Sequence, residues 1–269
     1  MLEKKMASKK IVCVIPARLQ ATRYPKKLLS TLHDRPLLEW VWNAAKKVSL
    51  FDEVIFAIDD QELADVIDTF GGQWTMTSKD CQSGTDRIIE IMQRNILSAD
   101  IWVNWQGDEP FITQSMIEQL LQSSGSNDAD VWTLKKQIIT AQELTSPKFA
   151  KVVSDHNGYA LYFSRSMIPA VRDEQDLEVI IKQQIHYKHV GLYAYTTDAL
   201  KKIALAEACA LEEAEKLEQL RFLYHGLRIK MHKTDQEVIG IDTPEDLVRA
   251  HEYAQIRGLS GFIQATISK

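Results

Sequence analysis

The sequence has few of the features that mark a secreted, membrane-spanning or disordered chain. Its 269 residues include three cysteines, which lie far apart and form no C-x-x-C pair, so the pattern favours a reducing compartment, the cytoplasm, over a disulfide framework. No segment approaches the ~18 uninterrupted apolar residues of a membrane span. Only 11 glycines and 7 prolines are present, which excludes collagen-like and low-complexity chains. We expect a soluble globular protein with no membrane partner.

Basic residues are also slightly outnumbered by acidic ones. The chain has 32 Lys and Arg against 37 Asp and Glu, a formal net charge of −5, whereas nucleic-acid-binding proteins usually present a broad basic surface. No nucleic-acid partner is therefore expected, and any anion site must be local. The glycine-rich motifs G-x-x-x-x-G-K-[ST] and G-x-G-x-x-G do not occur. The sequence therefore gives no support for a glycine-rich phosphate-binding loop of the kinase-like or dinucleotide-binding type.

The first half of the chain alternates short apolar runs with helical patterns. The runs at 11–16, 54–58, 73–77 and 101–105 predict strands, and each precedes a segment with apolar residues at helical spacing. Four such alternations predict an α/β fold, with a mostly parallel, Rossmann-like sheet flanked by helices. Ligands in such folds bind at the carboxyl ends of the strands.

The second half of the chain has a different hydrophobic pattern. Segments 151–154, 160–163 and 187–195 alternate apolar and polar residues, and Asn157-Gly158 gives a turn signal between the first two. This pattern predicts a smaller antiparallel lobe, inserted or appended, at about 150–225.

Helical spacing in this half predicts one continuous helix over Glu213–Tyr224 and a final helix from Pro244. The sequence shows no internal repeat and no clear linker. We therefore predict a single domain over 10–257, with an N-terminal extension at 1–9 and a C-terminal tail at 258–269.

The loop after the first predicted strand is rich in cations, with Arg18, Arg23, Lys26 and Lys27 within ten residues. Guanidinium and ammonium groups at a strand end can neutralise a triphosphate. A solvated basic loop, or a surface patch for nucleic acid, explains the same spacing about equally well.

Two further loops carry carboxylates. Asp108 follows the strand at 101–105, where its oxygens suit a hard cation such as Mg²⁺, although a simple turn is the commoner meaning of G-D-x-P. Near the C-terminus, Thr243, Pro244 and Asp246 are explained as a helix start, which leaves Asp242 over at a strand end. Asp242 could complete a metal site with Asp108, but the sequence does not show that the two meet.

Two smaller signals remain. Ser83-Gly84-Thr85-Asp86-Arg87 opens a helix whose amides suit an anion, and a plain helix cap explains it equally well. Strand periodicity places His189, Gly191 and Tyr193 on one face, with room for a ligand at the glycine. An ordinary half-buried strand is the simpler explanation, and neither a catalytic triad nor a Cys/His metal cluster is indicated.

Seven segments, in this order, resemble the 3-deoxy-manno-octulosonate (Kdo) cytidylyltransferases, also called CMP-Kdo synthetases: IPARLQATRYPKK, SGTDR, QGDEP, YFSRSMIP, HVGLYAY, KLEQLR and GIDTPEDL. The resemblance covers about 11–254. It implies a nucleotidyltransferase-type domain with a dimerisation lobe, and hence a homodimer. It also implies transfer of CMP from CTP to the anomeric hydroxyl of Kdo, with release of pyrophosphate and with Mg²⁺, for lipopolysaccharide synthesis.

The resemblance also implies roles for individual residues. Asp108 and Asp242 would hold the metal and, with Arg18 and Lys27, form the catalytic set. The nucleotide would bind to Arg18, Arg23, Lys27, Ser83, Arg87 and Gln106. The sugar acid would bind to Arg165, His189, Tyr193, Glu218 and Gln219.

Some positions leave a choice. The family usually has Gly-Lys-Pro where this chain has Lys26, Lys27 and Leu28, so Lys26 could compete with Lys27 for the phosphate. Glu218, at the edge of its predicted helix face, could contact a ligand or simply pair with Arg221.

Three alternatives stay open. The substrate could be another acidic sugar, such as an 8-amino Kdo analogue or a sialic acid. The chain could be a non-catalytic regulator that binds a nucleotide or a sugar. The basic loop could bind nucleic acid.

Overall fold

The computed structural model describes residues 9–21 and 23–259. The chain divides into two compact units. The first unit comprises residues 13–94, 105–114 and 238–259, and the second unit comprises residues 9–12, 95–104 and 115–237. The predicted single domain stays a prediction, and nearly all of the predicted extension and tail lies outside the described residues.

The described residues form eleven strands and ten α-helices. The strands are β1 Ile11–Ala17, β2 Thr31–Leu32, β3 Arg35–Pro36, β4 Glu53–Ile58, β5 Trp74–Met76, β6 Ile101–Asn104, β7 Val131–Gln137, β8 Lys151–Ser154, β9 Ala160–Ser164, β10 Tyr187–Thr196 and β11 Ile229–Lys233. The helices are α1 Leu37–Lys46, α2 Gln61–Asp68, α3 Gly84–Gln93, α4 Gln114–Leu121, α5 Ala141–Thr145, α6 Leu177–Lys182, α7 Thr197–Leu205, α8 Ala210–Glu215, α9 Gln219–Tyr224 and α10 Pro244–Ile256.

The first unit contains most of β1 beside β4 and β5, with α1, α2, α3 and α10. All seven residues of β1 are buried, as expected for a strand whose two faces are both covered. Strands β4 and β5 pair in parallel, with Phe56 opposite Trp74. The carboxyl end of β1 therefore leads into the basic loop that the sequence singled out.

Three of the four helices described in the first unit, α2, α3 and α10, begin at a capping side chain, and the caps of α3 and α10 are those that the sequence predicted. Asp60 caps α2 by accepting from the Glu62 amide. Ser83 with Asp86, and Thr243 with Asp246, form reciprocal capping boxes at α3 and α10, which satisfy amides that have no partner inside a helix. These caps fix where each preceding loop ends.

The second unit contains a mixed sheet with the strand order β11-β7-β10-β6. Strand β7 pairs in parallel with β11, whereas β10 runs antiparallel to both β6 and β7. Strands β8 and β9 extend β10 as an antiparallel pair, and their turn contains Gly158 at φ +83°. The predicted antiparallel pairing and turn are confirmed, as is the overall α/β class with a mixed, mostly parallel sheet flanked by helices.

Of the sequence-based predictions in the second unit, one was incomplete and one is wrong. Strand β10 pairs with β8 as part of the predicted antiparallel lobe, but it also lies between β6 and β7, and β7 itself was not predicted. The helix over Glu213–Tyr224 is broken, because Lys216 adopts a left-handed conformation (φ +53°) that ends α8. Glu218 consequently lies just before α9 rather than on a continuous helix face.

None of the helices in the described part of the chain is long and apolar enough to cross a membrane.

Candidate active site

A cleft of about 210 Å³ lies within the first unit, where the loops after β1, β5 and β6 converge with the start of α10. Five of the residues for which the resemblance implies a catalytic or nucleotide role line it together with both aspartates. The lining residues are Pro16, Arg18, Lys27, Leu28, Cys81, Gln82, Ser83, Gly84, Arg87, Gln106, Gly107, Asp108 and Asp242.

Lys27 is the centre of the cleft's charge. Its ammonium group contacts a carboxylate oxygen of Asp108 and donates to Asp242 Oδ1 at 2.8 Å. Burial by itself lowers the pKa of Lys27, but the charges and hydrogen bonds of the two aspartates outweigh burial and raise it. Asp108 and Asp242, far apart in sequence, are thus brought to one cation.

Backbone contacts explain why the two aspartates meet. The Gly107 amide donates to the Pro16 carbonyl at 3.2 Å, and the Ile241 amide donates to the Asp108 carbonyl at 3.0 Å. A Cβ atom at Gly107 would lie only 3.0 Å from the Pro16 oxygen. The absence of a side chain at Gly107 therefore lets the Asp108 loop pack closely against the end of β1.

The two neighbouring lysines have different partners. Lys26 adopts a left-handed backbone conformation, φ +55°, at the position where the resembling family has glycine, and its ammonium group donates to both oxygens of Glu62 at 2.6 and 2.9 Å. It does not line the cleft. The arrangement favours Lys27 over Lys26 as the cleft's lysine.

Arg23 extends the cation group at the cleft's rim. Its guanidinium donates to Asp242 Oδ2 at 2.7 Å, and both side chains are about half exposed. Asp242 is therefore shared between Arg23 and Lys27.

Sequence reasoning missed a brace between two walls of the cleft. Arg87, which is 3% exposed, donates to Asp59 Oδ2 at 2.8 Å and to Thr77 Oγ1 at 2.6 Å. Asp59 also accepts from the Leu19 amide at 2.9 Å, so one carboxylate joins the basic loop to α3. Asp60 caps α2, so Asp59, at the end of β4, has no capping role. A carboxylate without a local role at a strand end is the sequence signal that could have identified Asp59.

Glu109 is a second feature that the sequence did not single out. Burial, with the nearby charges of Asp108 and Asp242, raises the pKa of Glu109 to about 8. Its Oε2 atom is buried and has no hydrogen-bond partner within the described ranges. The carboxyl of Glu109 is therefore predominantly neutral near neutral pH.

In the second unit, β10 and β9 bring four aromatic side chains together, which we call the ring cluster: Phe163, His189, Tyr193 and Tyr195. The centroid of the His189 ring lies 5.2 Å from that of Tyr193 and 5.1 Å from that of Phe163. The His189 Nε2 atom is 3.0 Å from Thr133 Oγ1. A Cβ atom at Gly191 would meet no atom within 4 Å, so the space predicted beside this glycine exists.

Burial dominates the chemistry of the ring cluster. It lowers the pKa of His189 to about 3, so the imidazole is neutral near pH 7. Burial, followed by the influence of Tyr195 and Glu218, raises the pKa of Tyr193 well above its usual value. Glu218 therefore acts electrostatically on the ring cluster.

The other predicted sugar contacts divide into two kinds. Gln219 is 3% exposed, and its Nε2 atom has no hydrogen-bond partner among the residues described. Glu218 accepts a hydrogen bond from Arg221 at 3.3 Å. This pairing is the alternative to a ligand contact that the sequence left open, and Glu218 also influences Tyr193 electrostatically. The Arg165 guanidinium is occupied by the backbone carbonyls of Pro147, Glu215 and Lys216.

Comparison with known proteins decides the family. The cytidylyltransferase family model matches residues 12–229. The 3-deoxy-manno-octulosonate cytidylyltransferase of Geotalea uraniireducens is 44% identical over 248 residues, covering 90% of this chain and 98% of the relative. The chain belongs to the Kdo cytidylyltransferase family.

Other relatives agree with this membership. The enzyme of the same name from Porphyromonas gingivalis is 36% identical over 252 residues, covering 93% of this chain and 98% of the relative. A CMP:2-keto-3-deoxy-manno-octonic acid synthetase solved in complex with CTP matches with a TM-score of 0.84 and 36% identity, over 92% of this chain and 99% of that one. A 4-diphosphocytidyl-2C-methyl-D-erythritol synthase, at 15% identity and a TM-score of 0.61, shares the fold.

For a member of the Kdo cytidylyltransferase family, the cleft's donor set fits a divalent cation. No group of three or more His, Cys, Asp or Glu side chains is placed to hold a metal ion within the described residues, but Asp108 and Asp242 both contact the same ammonium group. Their oxygens thus surround a point that already holds positive charge. Two carboxylates are sufficient for Mg²⁺, which usually takes its remaining ligands from water and substrate phosphates.

Proposed function

We propose that this protein transfers CMP from CTP to Kdo. The anomeric hydroxyl oxygen of Kdo forms a bond to the α-phosphorus of CTP, the bond from that phosphorus to the bridging oxygen breaks, and pyrophosphate leaves with the electron pair. The hydroxyl proton passes to solvent water, giving CMP-Kdo. The observation that carries the proposal is the convergence of Asp108 and Asp242 on Lys27 in a cleft lined by Arg18 and Gln106.

The cations of the cleft suit the triphosphate of CTP. Arg18 and Lys27 line the cleft, and Arg23 lies at its rim. They bind the phosphate oxygens and neutralise the charge that collects on the departing pyrophosphate. The amide side chain of Gln106 hydrogen-bonds to the cytosine or the ribose.

The start of α3 supplies a second anion contact. Ser83 and Gly84 line the cleft, and the first amides of a helix favour negative charge. Arg87 supports this wall through Asp59, so we assign it to positioning α3 as well as to the electrostatic field at the phosphates.

Asp108 and Asp242 would hold Mg²⁺, which would supply neutralisation of phosphate charge and a lower pKa of the attacking hydroxyl. Lys27 exchanges its carboxylate partners for phosphate oxygens as the substrate enters. Positioning by these side chains, with no covalent enzyme intermediate, accounts for most of the catalysis.

The sugar acid binds to residues of the second unit. His189, neutral at pH 7, and Tyr193 offer hydrogen bonds beside the open space at Gly191. Gln219, whose buried amide nitrogen has no hydrogen-bond partner in the described part of the chain, and Glu218 suit the sugar hydroxyls. The resemblance gives Arg165 the Kdo carboxylate, a role that requires its guanidinium to leave at least one of the backbone carbonyls it contacts.

We further propose a cytoplasmic homodimer. All three cysteines are free, which suits a reducing compartment. Three apolar side chains, Ile139, Val179 and Ile185, are exposed. They lie close in sequence to a small apolar core formed by Ile138, Leu144 and Ile180. Exposed apolar groups of this kind favour association.

The test is a substrate panel. The purified protein is given CTP and Mg²⁺ with Kdo, 8-amino-Kdo or a sialic acid, and pyrophosphate release is measured. Kdo should support turnover with the highest kcat/KM. Faster turnover with another acid would reassign the sugar, and no Mg²⁺-dependent pyrophosphate release with any acid would favour the non-catalytic regulator.

A further inference from the structure

A second cavity, of about 510 Å³, lies in the second unit. Strands β7, β10 and β11 and the turn between β8 and β9 contribute its lining. Two lysines, Lys135 and Lys233, line it with the ring of Tyr187 and a single carboxylate, Asp155. None of its lining residues belongs to the cleft of the first unit.

Backbone hydrogen bonds fix the turn that forms one wall. The Gly158 amide donates to the Asp155 carbonyl at 3.1 Å, and the Met231 amide donates to the Gly158 carbonyl at 2.8 Å. A Cβ atom at Gly158 would lie 3.2 Å from the Met231 oxygen, and its φ is +83°. The turn is therefore pinned to β11 and the cavity is preformed, as small-molecule sites usually are.

The two lysines meet at one aromatic ring. The Lys135 ammonium lies 4.7 Å from the centroid of the Tyr187 ring, and the Lys233 ammonium lies 5.1 Å from it. The two positive charges are consequently within about 10 Å of each other. Lys135 is 8% exposed, and its ammonium donates to the hydroxyl of Ser154.

Among the described residues, these lysines differ from their neighbours in having no acidic partner. Within residues 9–21 and 23–259, no ion pair joins Lys135 or Lys233 to a carboxylate. Lys136, next along β7, pairs with Glu237, and Lys188 pairs with Glu143 and Glu237. Burial, reinforced by the charge of Lys233, lowers the pKa of Lys135, which is the response of an ammonium group without a counter-ion.

Asp155 offsets this charge only in part. One of its oxygens accepts from the Tyr159 amide at 2.8 Å, so it is committed to the turn. A buried ammonium without a carboxylate partner is unfavourable, and an anion in the cavity would remove that cost. Lysine is a compact charge donor suited to phosphate oxygens, and the Ser154 hydroxyl is already beside Lys135.

We propose that this cavity binds a compact dianion, a phosphate group or a small dicarboxylate, between Lys135 and Lys233. The site is distinct from the proposed CTP cleft and gives the protein a second small-molecule ligand. Its position on three strands and a pinned turn makes it a rigid site rather than a flexible surface patch.

The test measures binding of inorganic phosphate, and separately of malonate, by isothermal titration calorimetry. Wild type is compared with Lys233→Met and with the control Lys182→Met, which removes the same charge from an exposed position in α6. We expect Lys233→Met to weaken binding of the preferred anion by about tenfold, as expected when one charged hydrogen bond is lost. Lys182→Met should leave the Kd within about twofold.

Lys135→Met is the second variant, with thermal unfolding as the check on its fold, and it should weaken the same anion. Tighter binding of phosphate than of malonate identifies phosphate as the ligand group, and the reverse order identifies a dicarboxylate. Equal affinities in wild type and Lys233→Met, or an equal loss in Lys182→Met, would overturn the proposal. Failure of this site leaves the CTP assay unaffected, so the two proposals are tested separately.

Discussion

The cleft of the first unit and the ring cluster of the second unit are built in opposite ways. In the cleft, side chains of opposite charge from distant loops pair with one another, as Lys27 does with Asp108 and Asp242. In the ring cluster, the side chains come mostly from one strand, and burial keeps His189 neutral. We conclude that the cleft depends on charge and the ring cluster on packing, so each should fail under a different perturbation.

The largest effect is expected from removing one carboxylate charge in the cleft. Asp108→Asn and Asp242→Asn keep the shape of the side chain but remove the anionic oxygen that Mg²⁺ requires. We expect kcat at saturating CTP and Kdo to fall about 10³-fold in each variant, since electrostatic groups at a phosphoryl site contribute effects of that size. Pyrophosphate release is the measurement.

A matched control for this prediction is Asp65→Asn on the exposed face of α2, which should retain wild-type turnover. Near-normal kcat in both cleft variants would remove the metal assignment and, with it, the view that charge organises the cleft.

Next in size is the loss of the brace between the cleft walls. Asp59→Ala leaves the Arg87 guanidinium buried without its carboxylate, because the two side chains are only 12% and 3% exposed. We expect the free energy of unfolding to fall by about 3 kcal/mol and KM for CTP to rise. Urea unfolding and steady-state kinetics measure the two effects.

The neighbouring Asp60→Ala is the control for the brace. It removes the α2 cap but not the link to Arg87, so it should lower stability less and leave KM for CTP near the wild-type value. A rise in KM of the same size in both variants would show that general loosening, rather than the brace, sets the geometry of the cleft.

A third prediction separates the two adjacent lysines. Lys27→Met should lower kcat/KM for CTP about 100-fold, because a cation that faces the triphosphate is lost. Lys26→Met should change kcat/KM by less than about threefold, since a half-exposed pair with Glu62 contributes little. Equal losses in both variants would mean that the first loop acts by its total charge rather than through Lys27.

The sequence predicted the individual residues of the cleft better than it predicted which of them come together in space. Local chemistry identified the caps at Ser83 and Thr243 and left Asp242 without a structural role, and those rules depend only on neighbouring residues. The convergence of Asp108 and Asp242 depends on the packing of Gly107 against Pro16, a contact across about 90 residues. The brace through Asp59 was missed for the same reason.

The second unit was harder to predict, since strand order is a non-local property. The alternating pattern of β10 marks a strand but not its neighbours, and because β7 was not predicted, the place of β10 between β6 and β7 was missed. The helix over Glu213–Tyr224 had the correct apolar spacing, yet Lys216 ends it in a left-handed conformation that no glycine signals.

The smallest effect concerns pH and the ring cluster. His189 has a pKa of about 3 in the folded protein against about 6.5 in the unfolded chain, so the unfolded state binds the proton more readily between these values. Stability is therefore complete above about pH 6.5 and is lost as the pH falls. The loss between pH 7.5 and pH 5 should be about 2 kcal/mol from this residue.

Urea unfolding at the two pH values tests this, with His189→Gln as the variant, because glutamine cannot gain charge and still reaches Thr133. The variant should lose about 2 kcal/mol less on acidification than wild type, while His156→Gln, at an exposed position, should behave as wild type. A smaller dependence of the same sign should persist, since burial also lowers the pKa of His232 to about 4. An unchanged pH dependence in His189→Gln would mean that the ring cluster admits water and charge, and that it resembles the cleft more closely than its packing indicates.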